Sequence, residues 1–379
     1  MTTGAARPRL IRTLNEQLLL ERMRGDGPVS RSELASASGL SKPTVGLALA
    51  GLERDELVQL AGRRAGSRGR SASLYEIRKD AGFVLGLDVG REFVRGAVAD
   101  LGGAVRARES RPARSSSGVA RVRELAALAD ELLREVDVER DGTLLHTVVG
   151  SPGVVEANGH SLRLAPNLPG WERPGVLREL RSLLGDETTI ENDVDAAAVA
   201  ERDHGHGRDV PTFAFVSVGT GIGMGLVLDG KLHRGAHGAA GEIAFLPHVS
   251  GPLESAASAD AVVAAARRAG TRLRSARSVF AAAAGGDERA RTVVAGEAAV
   301  VARALASIVA VVDPELIVLG GGIGRAPGFA DEVGSQLAQI SPVVPEVRPS
   351  ALGEDAVVDG CLAVGGDELW EHVLSSRVA

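Results

Sequence analysis

The stretch Phe83-Val84-Leu85-Gly86-Leu87-Asp88-Val89-Gly90 decides the fold class of this 379-residue chain. It is an apolar run that ends in Asp and Gly, which is typical of a buried strand that leads into a loop. A second strand is predicted over 93–100, and a tight turn at 100–103 leads into a third. Further strands are predicted over 147–150, 188–190, 213–218, 225–228 and 316–319, and helices over 119–136, 194–202, 260–274 and 287–311. This pattern predicts an α/β fold with two lobes and a cleft between them.

The composition excludes several classes of protein. With 44% hydrophobic and 24% charged residues, the chain is neither collagenous nor disordered. A single cysteine, Cys361, cannot close an intrachain disulfide or supply a thiolate cluster, which favours a reducing compartment. Met1 to Leu10 contain no apolar signal core, and no run approaches the ~20 apolar residues that a spanning helix needs. We therefore expect a cytoplasmic protein with no membrane partner.

Charge divides the chain unequally. Residues 1–80 contain 14 basic and 9 acidic side chains, a net charge of +5, which leaves 29 basic and 40 acidic side chains, a net charge of −11, for the remainder. A basic N-terminal part on an acidic body suggests an anionic partner such as nucleic acid. The alternative is a slightly basic, solvated surface.

The basic part has the pattern of a helix-turn-helix. Apolar residues recur at helical spacing between Leu10 and Met23, before a cluster of helix breakers at 25–28. Ser30 is expected to cap a second helix, with Glu33 in the capping-box position, and Gly39 to end it. Ser41 is expected to cap a third helix. Helix, tight turn and helix is the unit that places its second member in a DNA major groove.

The third helix and the segment after it supply the candidate DNA contacts. Val45, Leu49 and Leu52 share one face and are expected to be buried, which leaves Ser41, Lys42, Thr44 and Leu47 nearer the groove. A strand over 57–60, an Arg/Gly loop and a second strand over 74–77 predict a wing. Its arginines are expected to contact phosphates or a minor groove; they are Arg63, Arg64, Arg68 and Arg70. The alternative is a mobile charged loop without a partner.

Four motifs follow in order along the acidic body. They are Asp88-Val89-Gly90-Arg91-Glu92; the loops Gly150-Ser151-Pro152-Gly153-Val154, Pro166-Asn167-Leu168-Pro169-Gly170-Trp171 and Glu191-Asn192-Asp193; Gly219-Thr220-Gly221-Ile222-Gly223 with Glu242 and Glu254; and Gly320-Gly321-Gly322-Ile323-Gly324. Together the ordered set resembles the ROK family (repressor, open reading frame, kinase) of sugar kinases and sugar-responsive transcription factors. The resemblance covers nearly the whole chain.

The resemblance implies an architecture. Residues 1–78 would form a winged helix-turn-helix, and residues 79–379 a two-lobed ROK domain of the actin/hexokinase-like (RNase H-like) fold. Lobe one would span about 82–192 plus a C-terminal helix, and lobe two about 193–360. ROK regulators resemble dimers or tetramers, so a homodimer or homotetramer is expected.

The resemblance also implies roles for site residues. Asn167, Asn192, Asp193, Glu242 and Glu254 would bind a sugar or sugar phosphate, with Asp193 at the position of the kinases' general base. Amides and carboxylates suit polyols because hydroxyl groups both donate and accept hydrogen bonds. The alternative for 191–193 is a strand-end turn that caps the next helix. Remnants of the nucleotide loops would be Asp88, Gly90, Gly219, Thr220, Gly221, Gly320, Gly321 and Gly322.

Two departures from the family pattern modify these expectations. Arg91 and Glu92 replace a Gly and a Thr of the first phosphate loop, which argues against ATP binding and therefore against kinase activity. Phe245 stands where relatives have a zinc-binding His, and 246–258 contain no cysteine, so we expect no zinc and no other cofactor. Phe245 is expected to pack in the core, the alternative being an apolar surface against a sugar ring.

Three functional hypotheses follow. The leading one is a DNA-binding regulator, a repressor of carbohydrate uptake or catabolism genes, that responds to a sugar or sugar phosphate and binds a double-stranded operator as a homo-oligomer. An active ROK sugar kinase with an appended DNA-binding domain is the alternative. The third is a ligand-independent DNA binder, for which calorimetry would detect no sugar binding.

Overall fold

The structure is a computed structural model that describes residues 6–24, 27–65, 71–115, 117–140, 145–155, 161–165, 168–249 and 251–375. An N-terminal part, here called the head (the described residues up to 78), precedes two lobes. Each lobe is built on a five-stranded sheet. The α/β class predicted from the strand and helix pattern is confirmed.

The head consists of three helices and a three-stranded antiparallel sheet of order β1-β3-β2. Its elements are α1 (Ala6–Met23), β1 (Val29–Ser30), α2 (Arg31–Ser38), α3 (Lys42–Arg54), β2 (Val58–Ala65) and β3 (Ser71–Ile77). The predicted helices and caps are confirmed: Ser30 and Glu33 form a reciprocal capping box, Gly39 ends α2 at φ 72°, and Ser41 caps α3. The predicted inward face of α3 is also confirmed, since Val45, Leu49 and Leu52 are fully buried.

The wing differs from its prediction. The first strand extends to Ala65, so Arg63 and Arg64 lie on β2 and not on a loop. They are paired in register with Ser73 and Ala72 of β3. Antiparallel pairing continues through this segment because the Arg/Gly composition does not prevent ladder hydrogen bonds. Arg68 and Arg70 lie outside the described residues.

Lobe one has a sheet of order β10-β7-β4-β5-β6, in which β4 is parallel to β7 and antiparallel to β5. The elements are β4 (Phe83–Val89), β5 (Phe93–Asp100), β6 (Val105–Pro112), α4 (Gly118–Glu135), β7 (Leu145–Ser151), β8 (Val154–Val155), β9 (Leu162–Arg163), α5 (Val176–Leu184) and β10 (Thr189–Asn192). Helices α4 and α5 pack with the sheet around the buried side chains of Leu125, Leu180 and Trp171. Helix α5 has no counterpart among the elements predicted from the sequence.

Lobe two has a sheet of order β13-β12-β11-β16-β17. The elements are α6 (Asp193–His204), β11 (Phe213–Val218), β12 (Ile222–Leu228), β13 (Lys231–Leu232), β14 (Pro247–His248), β15 (Gly251–Pro252), α7 (Ala259–Arg268), α8 (Ala276–Ala284), α9 (Glu288–Val312), β16 (Leu316–Gly320), α10 (Gly321–Gly324), α11 (Phe329–Ala338) and β17 (Glu346–Pro349). The prediction of one helix over 260–274 is wrong. Helix α7 ends before Gly270, which adopts φ 78°, and Ser275 caps a separate helix, α8.

The final helix, α12 (Ala356–Ser375), returns to lobe one and connects all parts of the molecule. It packs on β4 and β7, and it lies against α6 so closely that a Cβ atom on Gly360 would be 1.8 Å from the carbonyl oxygen of Ala196. Its last turns share a core with Leu19 and Leu20 of the head through Leu369, Trp370 and Val373.

One described helix, α9, is long and apolar enough to cross a membrane by length and composition. The expectation that no segment approaches this length is therefore wrong for α9. About half of the most apolar 18-residue stretch of α9 is buried inside the molecule. Val301, Leu305 and other side chains of this helix lie in the core of lobe two. The buried core helix of a globular protein can have the same length and apolar composition as a membrane span.

Candidate functional site

A cleft cavity of about 180 Å³ lies between the two lobes. Strand ends and loops of both lobes line it, as expected for a two-lobed α/β protein. Of the predicted ligand-binding residues, four line this cavity: Asn192, Asp193, Glu242 and Glu254. Asn167 lies outside the described residues. The structure therefore brings together side chains that are up to 62 positions apart in the sequence.

The corner between β10 and α6 positions the central carboxylate. Asn192 is the N-cap of α6, and its Oδ1 accepts hydrogen bonds from the backbone N–H groups of Val194 and Asp195 at 2.9 and 3.0 Å. Its Nδ2 donates to the Gly153 carbonyl at 3.1 Å. The alternative interpretation of 191–193, a turn that caps the next helix, is confirmed for Asn192. The same contacts place Asp193 in the cleft, so capping and a role in ligand binding are compatible.

Two of the predicted ligand-binding carboxyl groups have raised pKa values. Removal of water raises the pKa of Asp193 to about 6, against hydrogen bonds from backbone N–H groups that lower it. Burial raises the pKa of Glu242 to about 7, with further contributions from the charges of Asp193 and Glu254. A carboxyl group with a pKa near neutrality can take up a proton from a hydroxyl group and return it.

Asp88 lies behind the cleft and not in it. It is 5% exposed and accepts a hydrogen bond from Arg95 at 3.1 Å, while the same guanidinium bonds Glu354 at 3.0 Å. Burial raises the pKa of Asp88 to about 7, because the nearby Arg95 charge offsets only part of the lost hydration and Asp193 adds repulsion. Its position makes Asp88 a structural link between β4 and the segment before α12.

The turn after Asp88 is held by a side chain that sequence reasoning missed. The guanidinium of Arg121, on α4 and 2% exposed, donates to the carbonyl of Gly90 at 2.7 Å and to that of Arg91 at 3.3 Å. A Cβ atom on Gly90 would be 2.7 Å from the Phe93 carbonyl oxygen, so only glycine fits this tight turn. No local signal identifies Arg121, because it lies 31 residues away from Gly90.

Arg91 and Glu92, the two residues of this turn that differ from the family pattern, lie in different environments. Arg91 lines the cleft, and its guanidinium lies 3.9 Å from the Asp260 carboxylate of α7 on the opposite lobe. Glu92 is exposed and is not among the described residues that line the cleft. Of the two side chains, Arg91 alone therefore lines the cleft.

The glycine loops of lobe two lie next to each other. A Cβ atom on Gly219 would be 3.5 Å from the backbone nitrogen of Gly322, and one on Gly321 (φ 75°) would be 2.4 Å from the Val218 carbonyl oxygen. Thr220 and Gly221 line the cleft cavity, whereas Gly219 and 320–322 lie outside its lining. Close backbone packing is therefore a sufficient reason for glycine at positions 219 and 321. The same loop geometry is also compatible with a bound nucleotide.

A family match covers most of the chain: residues 84–366 match the ROK family. The chain belongs to the ROK family. It is 34% identical over 280 residues to an N-acetylmannosamine kinase of Citrobacter koseri, covering 70% of this chain and 92% of that protein. It is 24% identical over 233 residues to the xylose repressor of Bacillus subtilis, covering 62% and 60%. The first curated relatives are matched over 38–60% of their length.

One solved structure resembles this ROK protein over the head as well as over the two lobes. A ROK family transcriptional regulator, described as a homologue of the E. coli MLC protein, superimposes with a TM-score of 0.74 at 24% identity. The match covers 97% of this chain and 99% of that one. Family members thus include kinases and regulators, and the fold alone does not separate the two.

The zinc-binding segment of the ROK family does not fit a metal here. Phe245 is 49% exposed and lines the cleft, so the expectation that it packs in the core is wrong. The short β14–β15 hairpin after it offers His248 and no thiolate. Among the described residues, no three His, Cys, Asp or Glu side chains form a cluster that could hold a metal ion. Phe245 instead presents an apolar ring to the cavity.

Proposed function

We propose that this ROK protein is a sugar-responsive, DNA-binding repressor of carbohydrate uptake or catabolism genes. The observation that carries the proposal is the exposed outer face of α3 in the capped helix pair α2–α3. Similarity to a xylose repressor and to a solved ROK regulator over 97% of the chain supports it. The head is then a winged helix-turn-helix domain of residues 1–78, and 79–379 form the ROK domain.

In this proposal α3 enters the major groove. Leu47 is 69% exposed and Lys42 is also exposed. Ser41 and Thr44 share a hydrogen bond of 2.8 Å at the N-terminus of the helix, where hydroxyl and N–H groups suit phosphate oxygens. Because Leu47 offers only apolar contact, base-specific readout by α3 is limited. The apolar side chain suits a thymine methyl group.

The two described wing arginines have different roles. Arg64 donates to the Glu33 carboxylate at 2.7 Å and is bound to the head itself. Arg63 is exposed on β2 and is assigned to a DNA phosphate, as are Arg68 and Arg70 from the sequence. A protein that reads two half-sites in this way acts as a homodimer or a homotetramer.

Helices α6 and α12 provide the route between ligand and DNA. Helix α6 begins at the cleft with Asp193 and packs along α12, whose last turns support α1 of the head. A ligand that binds differently to two arrangements of the lobes changes DNA affinity through this contact, with a coupling of ~1–3 kcal/mol. The proposal also implies a cytoplasmic protein without a membrane partner, because that is where operator DNA lies.

Footprinting on the DNA upstream of the protein's own gene, with and without a panel of sugars, tests the proposal. We expect a protected site whose affinity falls with salt. Lys42→Ala should weaken binding across sequences and lower the slope of log K against log salt by about 1. Lys231→Ala, an exposed lysine on lobe two, is the matched control. Absence of a salt-sensitive protected site, or equal effects of the two variants, would contradict the proposal.

An active sugar kinase is the second candidate function. The raised pKa of Asp193 in the cleft and the adjacent glycine loops favour it, as does 34% identity to an N-acetylmannosamine kinase. Arg91 opposes it because its side chain pairs across the cleft. Sugar-dependent ADP release that Asp193→Asn abolishes would establish the kinase, and no turnover across a sugar panel would reject it.

A further inference from the structure

More acidic than basic side chains line the described part of the cleft. Among the described residues, four carboxyl groups line the cavity, those of Asp193, Asp195, Glu242 and Glu254, against one cationic side chain, that of Arg91. Arg91 is half exposed at the edge and lies 3.9 Å from the Asp260 carboxylate. It therefore does not neutralise the interior of the cavity.

Asp195 is one of these four acidic residues. It is 4% exposed, and its Oδ1 has no hydrogen-bond partner among the described residues. Desolvation of a carboxyl group without a partner is costly, and a ligand group that donates to it recovers the lost hydrogen bond. Asp195 lies outside the residues predicted to bind ligand, and it lines the same cavity.

The groups that face Asp195 come from three segments. Glu191 on β10, Asp193 on α6 and Glu242 before β14 repel its negative charge, and Arg234 attracts it. The guanidinium of Arg234 forms an ion pair with the buried carboxylate of Glu191, so its charge is already shared. Burial, with repulsion from the three carboxyl groups, raises the pKa of Asp195 to about 8, although Arg234 opposes the shift. The positive charge of Arg234 near Asp195 is therefore outweighed by the surrounding carboxyl groups.

We infer that the cleft selects an unphosphorylated sugar that has a protonated amino group, with Asp195 as the residue that recognises the ammonium. This inference rests on the proposed sugar-binding role of the cleft. An ammonium supplies three N–H donors and one positive charge to a carboxyl group whose Oδ1 has no partner among the described residues. A phosphate ester would instead bring about two negative charges next to four carboxyl groups. Phe245 offers its ring to the C–H face of the same sugar.

Calorimetry on the full-length protein tests the inference with four probes per sugar configuration. They are the 2-amino-2-deoxyhexose, its N-acetyl derivative, the parent hexose and the hexose 6-phosphate, in the gluco, manno and galacto series. In one series we expect the amino sugar to bind about tenfold or more tightly than the hexose. The N-acetyl derivative should lose this gain because its amide is neutral, and the 6-phosphate should give no saturable heat.

Asp195→Asn removes the proposed ammonium contact with little change in shape. We expect the variant to bind the amino sugar and the hexose with equal affinity, whereas Asp260→Asn at the edge of the cleft keeps the preference. The comparison of amine with N-acetyl amide uses the unmodified protein, so the test stands even if the variant does not fold. Equal binding of amine, amide and hexose would overturn the inference and leave the proposed sugar control intact. No binding of any probe would overturn both.

Discussion

Single residues of the cleft make the stability of this protein depend on pH. The pKa of Asp193 is raised to about 6 and that of Glu242 to about 7, so both groups ionise more readily in the unfolded chain. Their contribution to the free energy of unfolding is complete below the ordinary carboxyl range near 4 and is lost as the pH rises through 6 to 7. Glu33, with a pKa lowered to about 2 by hydrogen bonds from Ser30 and Arg64, acts in the opposite sense. Its contribution is present above about 4.5 and is lost as the pH falls.

The resulting prediction concerns the ligand-free protein between pH 5.5 and 8.5. We expect the melting temperature to fall over this interval, and Glu242→Gln to reduce the fall because one ionisation that opposes folding is removed. Asp331→Asn, an exposed carboxylate on α11, should leave the fall unchanged. Thermal unfolding followed by circular dichroism measures the effect, and an equal fall in both variants would refute it.

At the scale of elements, the contact between α6 and α12 depends on one missing side chain. A Cβ atom on Gly360 would be 1.8 Å from the Ala196 carbonyl oxygen and 2.3 Å from its carbon, so backbone would have to move. Gly366, on the same helix, has nothing within 4 Å of such an atom. The two glycines therefore separate the effect of helix packing from that of helix propensity.

We expect Gly360→Ala to lower the free energy of unfolding by about 1–3 kcal/mol through overpacking. Gly366→Ala should raise it by about 0.5–1 kcal/mol, because alanine favours a helix over glycine. Urea unfolding of both variants is the measurement. Stabilisation by both substitutions would show that the two helices separate at little cost.

At the scale of the whole molecule, the head contacts α12 at a surface, here called the seat, that includes polar side chains. Arg24 pairs with Asp367 at 2.6 Å and lies over the Trp370 ring at 5.3 Å, and Gln17 donates to the Leu374 carbonyl at 2.5 Å. Beside this contact lies a cavity of about 900 Å³, bordered by the head, by α12 and by the end of α6. Because α12 also packs on α6, β4 and β7, the arrangement of the seat can respond to both lobes.

Charge reversal at the Arg24–Asp367 pair of the seat should weaken the coupling between ligand binding and DNA binding. The Arg24–Asp367 pair is about half exposed, so Asp367→Lys is expected to change stability by less than about 1 kcal/mol. It should nevertheless reduce the ligand-dependent change in DNA affinity several-fold, because Arg24 is repelled from α12. The measurement is DNA affinity with and without the sugar found by footprinting. Glu371→Lys, an exposed neighbour on α12, is the control, and equal coupling in both variants would contradict this role of the seat.

Local signals in the sequence were sufficient for most of the elements and for the family. The capping pair Ser30–Glu33, the terminating Gly39 and the apolar strand before Asp88 act within a few residues, so their meaning can be recognised without the fold. Ordered motifs then placed Asn192, Asp193, Glu242 and Glu254 in one site. Local signals did not indicate helices α5, α8, α10 and α11 or several short strands, and they predict a loop where the structure extends β2.

Tertiary structure alone decided the electrostatics of the cleft and the connection to the head. Arg121 binds a carbonyl 31 residues away, and Arg234 pairs with Glu191 across 43 residues. Asp195 has an unusual environment because burial removes its water and because the carboxyl groups of Glu191 and Glu242 lie near it. Phe245 is exposed to the cavity although its type favours burial. Burial and charge depend on which segments meet in space, and chain spacing does not encode these distances.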